Sequence, residues 1–521
     1  VSQEALVRQR HIVRNTLLVG TFFFLAAAAG LMRNVVIARQ FGIGANLDAY
    51  YAAFKLPDLL FTIVAGGALA TAFIPVFADF LADDDREGAW RLASAITNLV
   101  LLVVSGLAAL AALAAPWLVH YLIAPGFDAV QQAETVSVMR LVLLSTLVFG
   151  ISAVQGSVLN GFKHFLLPAL APVVYPLGIA AGAVWLAPVW GVRGLAIGAL
   201  IGAVLHLAVK VPGLVRYGFR WWPVLDLDSA GVRRVVVLMG PRVLDLGVFH
   251  LTLLATTNLA SRLGPGSVSA LEWGWDAMQL PETIIGTAFG LVAFPTLAEL
   301  AARGDVAGLR GTLGETLRSV ITLTVPAALG LILLGRPLLQ LLYQRGAFDA
   351  AATDAVYVAL RFYALGLVGH ACLELAARTF FAQQDTVTPL LIATGSAAVN
   401  IVLGILLMRP LGHGGLALAN SLAVSAEVLT LLFVLRRRLG GVEGWQTLDG
   451  LGRVLVATLV MGLIMSGVLA LGQRAGAGAL WMVAVGGTAG GLGYVGAGLL
   501  LRVQALRHLP AALLTGQLRR P

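Results

Sequence analysis

Residues 48–77 read DAYYAAFKLPDLLFTIVAGGALATAFIPVF, and residues 269–295 read SALEWGWDAMQLPETIIGTAFGLVAFP. Each is a membrane-length apolar run, interrupted by proline and glycine and loaded near its start with charged side chains. A proline frees the carbonyl four residues earlier, and in hydrocarbon that oxygen must find protein or water. Such a span lines a cavity or a neighbouring helix. The same punctuation occurs twice, at Leu56-Pro57 and Leu280-Pro281 and again at Pro75 and Pro295, so the two stretches read as equivalent parts of a duplicated unit.

The duplication extends well beyond them. A fixed shift of 221 residues pairs Pro116 with Pro337, Phe127-Asp128-Ala129 with Phe348-Asp349-Ala350, and Arg140 with Arg361. It also pairs Pro168 with Pro389, Gly191 with Gly412 and Gly194-Leu195-Ala196 with Gly415-Leu416-Ala417. Matches of proline and of charged residues within apolar sequence are harder to obtain by chance than matches of leucine.

Apolar residues make up 59 % of the 521-residue chain and charged ones 12 %, about half the charged share of a soluble domain. The apolar residues come in runs of about 20, the length that crosses a bilayer as a helix. We place 14 candidate spans near 15–39, 48–80, 91–115, 134–159, 165–187, 192–214, 233–262, 268–299, 312–335, 353–382, 386–408, 413–435, 451–472 and 478–501. The basic N-terminus followed by Leu17–Leu31 imitates a signal peptide, but the apolar stretch resumes past Arg33 and reads as a first span.

The expected fold class is therefore an all-α polytopic membrane protein with two parallel six-helix repeats and two helices after them. The organisation is an N-terminal lobe over 1–222, a C-terminal lobe over 223–438, and two further spans with a basic tail over 439–521. Most of the basic residues, including Lys210, Arg216, Arg220, Arg233, Arg234 and Arg436–Arg438, border one side of these spans. The positive-inside rule then puts both termini in the cytoplasm of a bacterial inner membrane. The net charge of +9 faces anionic lipid headgroups rather than nucleic acid, because it forms no single patch. The lone Cys372 excludes an intrachain disulfide and reads as core packing.

Ionisable residues inside spans are costly and so point to function. They concentrate in the first, second, seventh and eighth spans, as Arg33 with Asn34, Asp48, Lys55 and Asp58, Arg242, Asp245 and His250, and Glu272, Asp276 and Glu282. That distribution describes a polar chamber. Its candidate substrate-binding residues are Arg33, Asn34, Asp48, Lys55, Arg242, Asp276 and Gln279. Pro57, Gly66, Gly67, Pro281 and Gly286 are the candidate hinges. No HExxH, GxSxG or P-loop spacing occurs, so neither enzymatic chemistry, a metal nor a cofactor is expected. Uphill transport would then draw on an ion gradient or the membrane potential, with Asp245, Glu374 and Glu427 as candidate coupling sites.

Gly42-Ile43-Gly44 followed by DAYYAAFKLPDLL, together with APGF (124–127), MGP (239–241), QLP (279–281), RGAFD (345–349) and ARTFFAQQDTVTP (377–389), resembles the MurJ/MviN family of lipid II flippases. This family lies within the multidrug/oligosaccharidyl-lipid/polysaccharide exporter superfamily. The resemblance implies a V-shaped two-lobed transporter that carries an undecaprenyl-diphosphate-linked disaccharide-pentapeptide outward by alternating access, with a lipid-tail groove at the last two helices. It implies membrane lipids, that glycan-bearing substrate and cell-wall synthesis proteins as partners, and specifies no oligomer. Three positions at which the family carries arginine are Ala27, Phe61 and Asp276 here, and an acidic one is Gly66. The alternative expectation is an ion-coupled exporter of another amphiphile, and a third is a membrane scaffold for cell-wall enzymes.

Overall fold

The computed structural model describes residues 3–65, 67–441, 444–503 and 506, without the side chains of 3–19, 63–65, 67–68, 240–246 and 444–448. All its regular structure is helical: α1 Gln3–Phe41, α2 Ala45–Ala65, α3 Gly67–Ala82, α4 Arg86–Trp117, α5 Ala129–Gly161, α6 Leu166–Ala181, α7 Ala187–Trp190, α8 Val192–Ala208 and α9 Val211–Arg216. Then follow α10 Ala230–Ala260, α11 Ser267–Glu282, α12 Ala288–Ala302, α13 Val306–Tyr343, α14 Ala350–Ala382, α15 Val387–Leu411, α16 His413–Arg438, α17 Gly444–Arg474 and α18 Ala479–Leu500. Short π-helical segments at Gly182–Leu186 and Thr283–Thr287 join α6 to α7 and α11 to α12. Among the described residues, 12 helical stretches are long and apolar enough to cross a membrane. The two remaining expected spans, 48–80 and 233–262, are the helices α2 with α3 and α10, which carry the charges noted above.

Two compact units emerge. The first comprises Val1–Gly266 with the short segment Arg345–Phe348, and so includes α10; the second comprises Ser267–Gln344 and Asp349–Pro521. In unit 1, α5 is the central helix, packed by α2, α3, α4 and α8, while α10 lies along α2 and α3. One end is closed by aromatic rings, with Phe77, Trp90 and Phe162 within 5.9 Å of one another and Phe162 stacked on Tyr217 at 4.5 Å. The segment Arg345–Phe348 is stitched to the end of α1 by the Ala347 amide, which donates to the Arg39 carbonyl at 2.8 Å.

Helices α6 and α8 approach without side chains between them. A Cβ on Gly182 would stand 2.7 Å from Gly198 Cα, and one on Gly198 would stand 2.8 Å from Gly182 Cα. Small residues permit this contact where lipid supplies no hydrophobic drive to associate. In unit 2 the positions equivalent to Gly182 and Gly198 are Leu403 and Ala419, so the two repeats pack this helix pair differently.

In unit 2, α14 packs against α11, α12, α13 and α16, and α15 against α16. The final helices α17 and α18 dock on α13, where the buried Tyr494 hydroxyl donates to the Thr322 carbonyl at 2.6 Å. Met461 and Met465 fill the space between them. These are the two expected spans that lie outside the repeat.

The duplicated motifs acquire physical reasons. Asp128 caps α5 by accepting the Gln131 amide at 2.8 Å, and Asp349 caps α14 by accepting the Ala352 amide at 2.8 Å. The adjoining Phe127 and Phe348 are buried. Gly191 and Gly412 share nearly one conformation, φ 55° with ψ −139° and φ 58° with ψ −142°, which only glycine adopts cheaply. Asp85 caps α4 in the same way as Asp128 caps α5, accepting the Gly88 amide at 2.8 Å.

The stretch ARTFFAQQDTVTP closes one end of unit 2. Asp385 accepts the Val387 and Thr388 amides and the Thr388 hydroxyl, and pairs with Arg438 at 2.6 Å. Arg438 also lies over the Phe380 ring. Burial pushes the Asp385 carboxyl up, but the Thr388 hydrogen bonds and Arg438 outweigh it and hold the carboxyl down at about 2. This contribution is fully present above the ordinary value of 3.8 and is lost as pH falls through about 2.

Two outcomes follow. Asp385→Asn keeps a capping oxygen but removes the charge that pairs with Arg438, lowering the thermal midpoint of the detergent-solubilised chain at neutral pH, with the difference from the unsubstituted chain narrowing as pH is lowered toward 2. Gly198→Val forces α8 off α6 and costs about 1–3 kcal/mol, whereas Ala419→Val at the equivalent position costs less; thermal unfolding of the two variants checks the order.

Candidate functional site

Arg33 of α1 places Nε and Nη2 on Asn34 Oδ1 at 3.0 and 2.8 Å. Asn34 is buried, so this pair of bonds holds the guanidinium fork in one orientation. Arg33 and Asp58 both act electrostatically on Tyr50 of α2 and on Tyr175 of α6, which gathers these four side chains into one neighbourhood of unit 1. Lys55, one turn before Asp58, acts in the same way on His250 of α10. Pro57 is buried between the two charged positions.

Asp48 has a different setting. It is fully buried in the first turn of α2 and accepts the Gly266 amide at 2.6 Å. Gly264 and Gly266 both have positive φ, 100° and 89°. The carboxylate thus ties the α10–α11 connection to the start of α2, where the helix dipole also favours a negative charge.

Unit 2 holds its own polar constellation. Glu272 acts electrostatically on Tyr363, and the Trp275 ring stands 5.3 Å from Tyr363 and 5.1 Å from His370. His370 Nε2 lies 3.0 Å from Asn420 Oδ1. Immediately after Pro281, Glu282 receives the Thr283 and Thr287 hydroxyls and feels the charge of Glu374, which pairs with Arg378 at 2.9 Å. Gly286 is buried against Ala371, and a Cβ on Gly290 would meet Arg378 Nε at 2.8 Å.

The register that pairs Pro57 with Pro281 also pairs Asp48 with Glu272 and Asp58 with Glu282. The acid after the kinking proline is therefore duplicated. Its basic neighbours are not: Arg33 and Lys55 occupy that region of unit 1, and Arg378 supplies the cation in unit 2.

Of the other expected residues, Asp276 and Glu427 are half-buried on α11 and α16, and Gln279 is exposed. Gly67 opens α3. Gly66 lies outside the described residues, and so do the side chains of Arg242 and Asp245 on α10. Tyr50, Tyr175, Trp275 and Arg378 were not singled out as site residues from the sequence. The four-residue spacing of Glu374 and Arg378 was a signal for the last; buried aromatic residues in an apolar chain give none. Cationic forks, phenols and an amide at these positions suit hydrogen bonding to oxyanions and hydroxyl groups.

Residues 37–485 match the family model described as lipid II flippase MurJ. A lipid II flippase MurJ of Burkholderia cenocepacia is 32 % identical over 469 residues, covering 88 % of this chain and 90 % of that protein. A probable lipid II flippase MurJ of Rhizobium tropici is 30 % identical over 459 residues, covering 87 % and 86 %. Among solved structures, a lipid II flippase MurJ in an inward closed conformation superposes with a TM-score of 0.79 at 23 % identity, over 95 % of this chain and all of that one. An inward-facing MATE family transporter of the MOP superfamily gives 0.69 at 15 % identity, over 80 % and 96 %. The fold is thus that of MurJ and MATE transporters, and the matched length and identity place the chain in the lipid II flippase MurJ family.

Proposed function

We propose that this protein is a flippase that carries a polyprenyl-diphosphate-linked glycan, lipid II, from the cytoplasmic to the outer leaflet by alternating access. The observation that carries the reading is the family match over residues 37–485, joined to an oriented, half-buried guanidinium at Arg33. Diphosphate oxygens suit such a fork, and Lys55 adds a second positive charge in the same unit. Arg242 is assigned the same role on α10. Asn34, Asp276 and Gln279 are assigned to sugar and peptide groups, and Asp48 to holding the α2 entry in place. Pro57, Gly66, Gly67, Pro281 and Gly286 are assigned to bending as the units change conformation. Transport needs no covalent step, and its energy comes from an ion gradient or the membrane potential. Both termini face the cytoplasm in this reading, and cell-wall synthesis proteins are its natural neighbours.

A second reading is favoured by the carboxylates of unit 2. Glu282 and Glu374 feel one another's charge, and the family's arginine positions at Ala27, Phe61 and Asp276 lack a cation. Under it the chain exports another amphiphile against an ion gradient, with Asp245, Glu374 and Glu427 as coupling sites.

Complementation separates the two. Expression in a bacterium depleted of its own lipid II flippase is expected to restore growth; failure despite normal membrane levels removes lipid II as the substrate. Arg33→Ala takes away a charge-assisted contact worth about 1.5–3 kcal/mol and is expected to weaken binding of the lipid-linked diphosphate about ten- to a hundredfold, measured by titration in detergent. Gln279→Ala is expected to change that affinity less than tenfold, because a neutral hydrogen bond contributes only about 1 kcal/mol.

A further inference from the structure

Unit 1 contains a buried basic cluster that the reading above leaves unused. Lys210, between α8 and α9, is 3 % exposed. Its Nζ donates to the Ser152 carbonyl of α5 at 2.6 Å. That neutral oxygen is its one hydrogen-bond partner among the described residues, and no carboxylate lies within ion-pair distance of it there. Ser152 Oγ stands 2.8 Å from His206 Nδ1, one turn earlier along the chain from Lys210. A single serine therefore touches both basic groups, through its carbonyl and its hydroxyl. Gly156 of α5 lies beside the amine, where a Cβ would stand in ordinary van der Waals contact with Nζ at 3.6 Å. Gln155, its neighbour on α5, has a buried Oε1 with no hydrogen-bond partner among the described residues.

We propose that Lys210, with Ser152 and His206, is a proton-exchange site of unit 1 through which transport is coupled to protonation. An ammonium enclosed in a helical bundle without a counter-charge costs several kcal/mol. The site therefore has two states that differ by one full positive charge, acting on its surroundings with little screening. The step breaks one N–H bond: the ammonium becomes an amine, and its proton leaves the site to water, with no change of oxidation state, while His206 stays neutral and hydrogen-bonded to Ser152 Oγ.

The neighbours of the cluster connect it to the charged region at α1 and α2. The Phe149 ring of α5 stands 5.1 Å from His206 and 4.9 Å from Tyr175 of α6. Tyr175 in turn feels Tyr50 and Asp58 of α2 and Arg33 of α1. On α9 the charged side chain is Arg216, which is exposed. A change of charge at Lys210 is thus one packed aromatic layer from the residues assigned to substrate.

The proposal rests on the transport reading, and its test separates the two. Lys55, Lys163 and Lys210 are the chain's three lysines, so nitrogen-15 NMR of the lysine-labelled full chain in nanodiscs gives three side-chain signals, assigned by single Lys→Arg substitutions. The Lys210 signal is expected to interconvert between ammonium and amine forms as bulk pH is varied. In proteoliposomes, flipping of fluorescent lipid II by the unsubstituted chain is expected to respond to an imposed pH gradient, and Lys210→Met and Lys210→Arg are each expected to lose that response. A Lys210 signal that stays in one form throughout overturns the proposal whatever the variants do. So does a pH response retained in Lys210→Met, or its absence from the unsubstituted chain while flipping proceeds. Absence of flipping altogether overturns the transport reading instead, and the NMR arm still decides on the proton.

Discussion

A charge placed in hydrocarbon must be partnered or must face a cavity, and most of what distinguishes one helix of this protein from another follows from that constraint. Arg33 is held by Asn34, Glu374 by Arg378, and Asp48 by a backbone amide. Lys210 has one neutral acceptor among the described residues. Apolar helices elsewhere in the chain are free to face lipid; α2, α10 and α11 are tied to protein because their side chains need it.

Duplication supplied two copies of the scaffold, and divergence is concentrated in the charges. The aspartate caps of α5 and α14 and the glycine turns before α8 and α16 are preserved in nearly identical geometry. These are backbone requirements, and few residue types meet them. The acid after the kinking proline is also preserved, yet the cations around it come from different helices in the two units. A shared scaffold with separately chosen charges lets one unit specialise without refolding the other.

The all-helical, membrane-spanning class was legible in the sequence because hydrocarbon admits few backbone solutions, and apolar runs of spanning length announce one of them. The repeat was legible because proline, glycine and capping aspartate have positional meanings that survive divergence. Individual side-chain neighbourhoods were less so. Nothing in the local sequence says that Tyr175 shares a neighbourhood with Arg33, or that Lys210 turns inward onto α5, since that depends on helix rotation set by packing. Lys210 read from the sequence as one more basic residue at a membrane border. Asp48 read as a chamber residue, and its geometry adds a tie to the Gly266 amide that no spacing rule would suggest.

The glycine contact between α6 and α8 has a mechanical consequence. With Gly182 and Gly198 backbone to backbone, no acyl chain can wedge between these helices and no side chain is available to act as a bearing on which they slide. The pair therefore resists being prised apart, and α5 packs against both of its members. In the second unit Leu403 and Ala419 replace these glycines, and the backbones of α15 and α16 come together at Gly415, where a Cβ would overlap the Leu407 carbonyl.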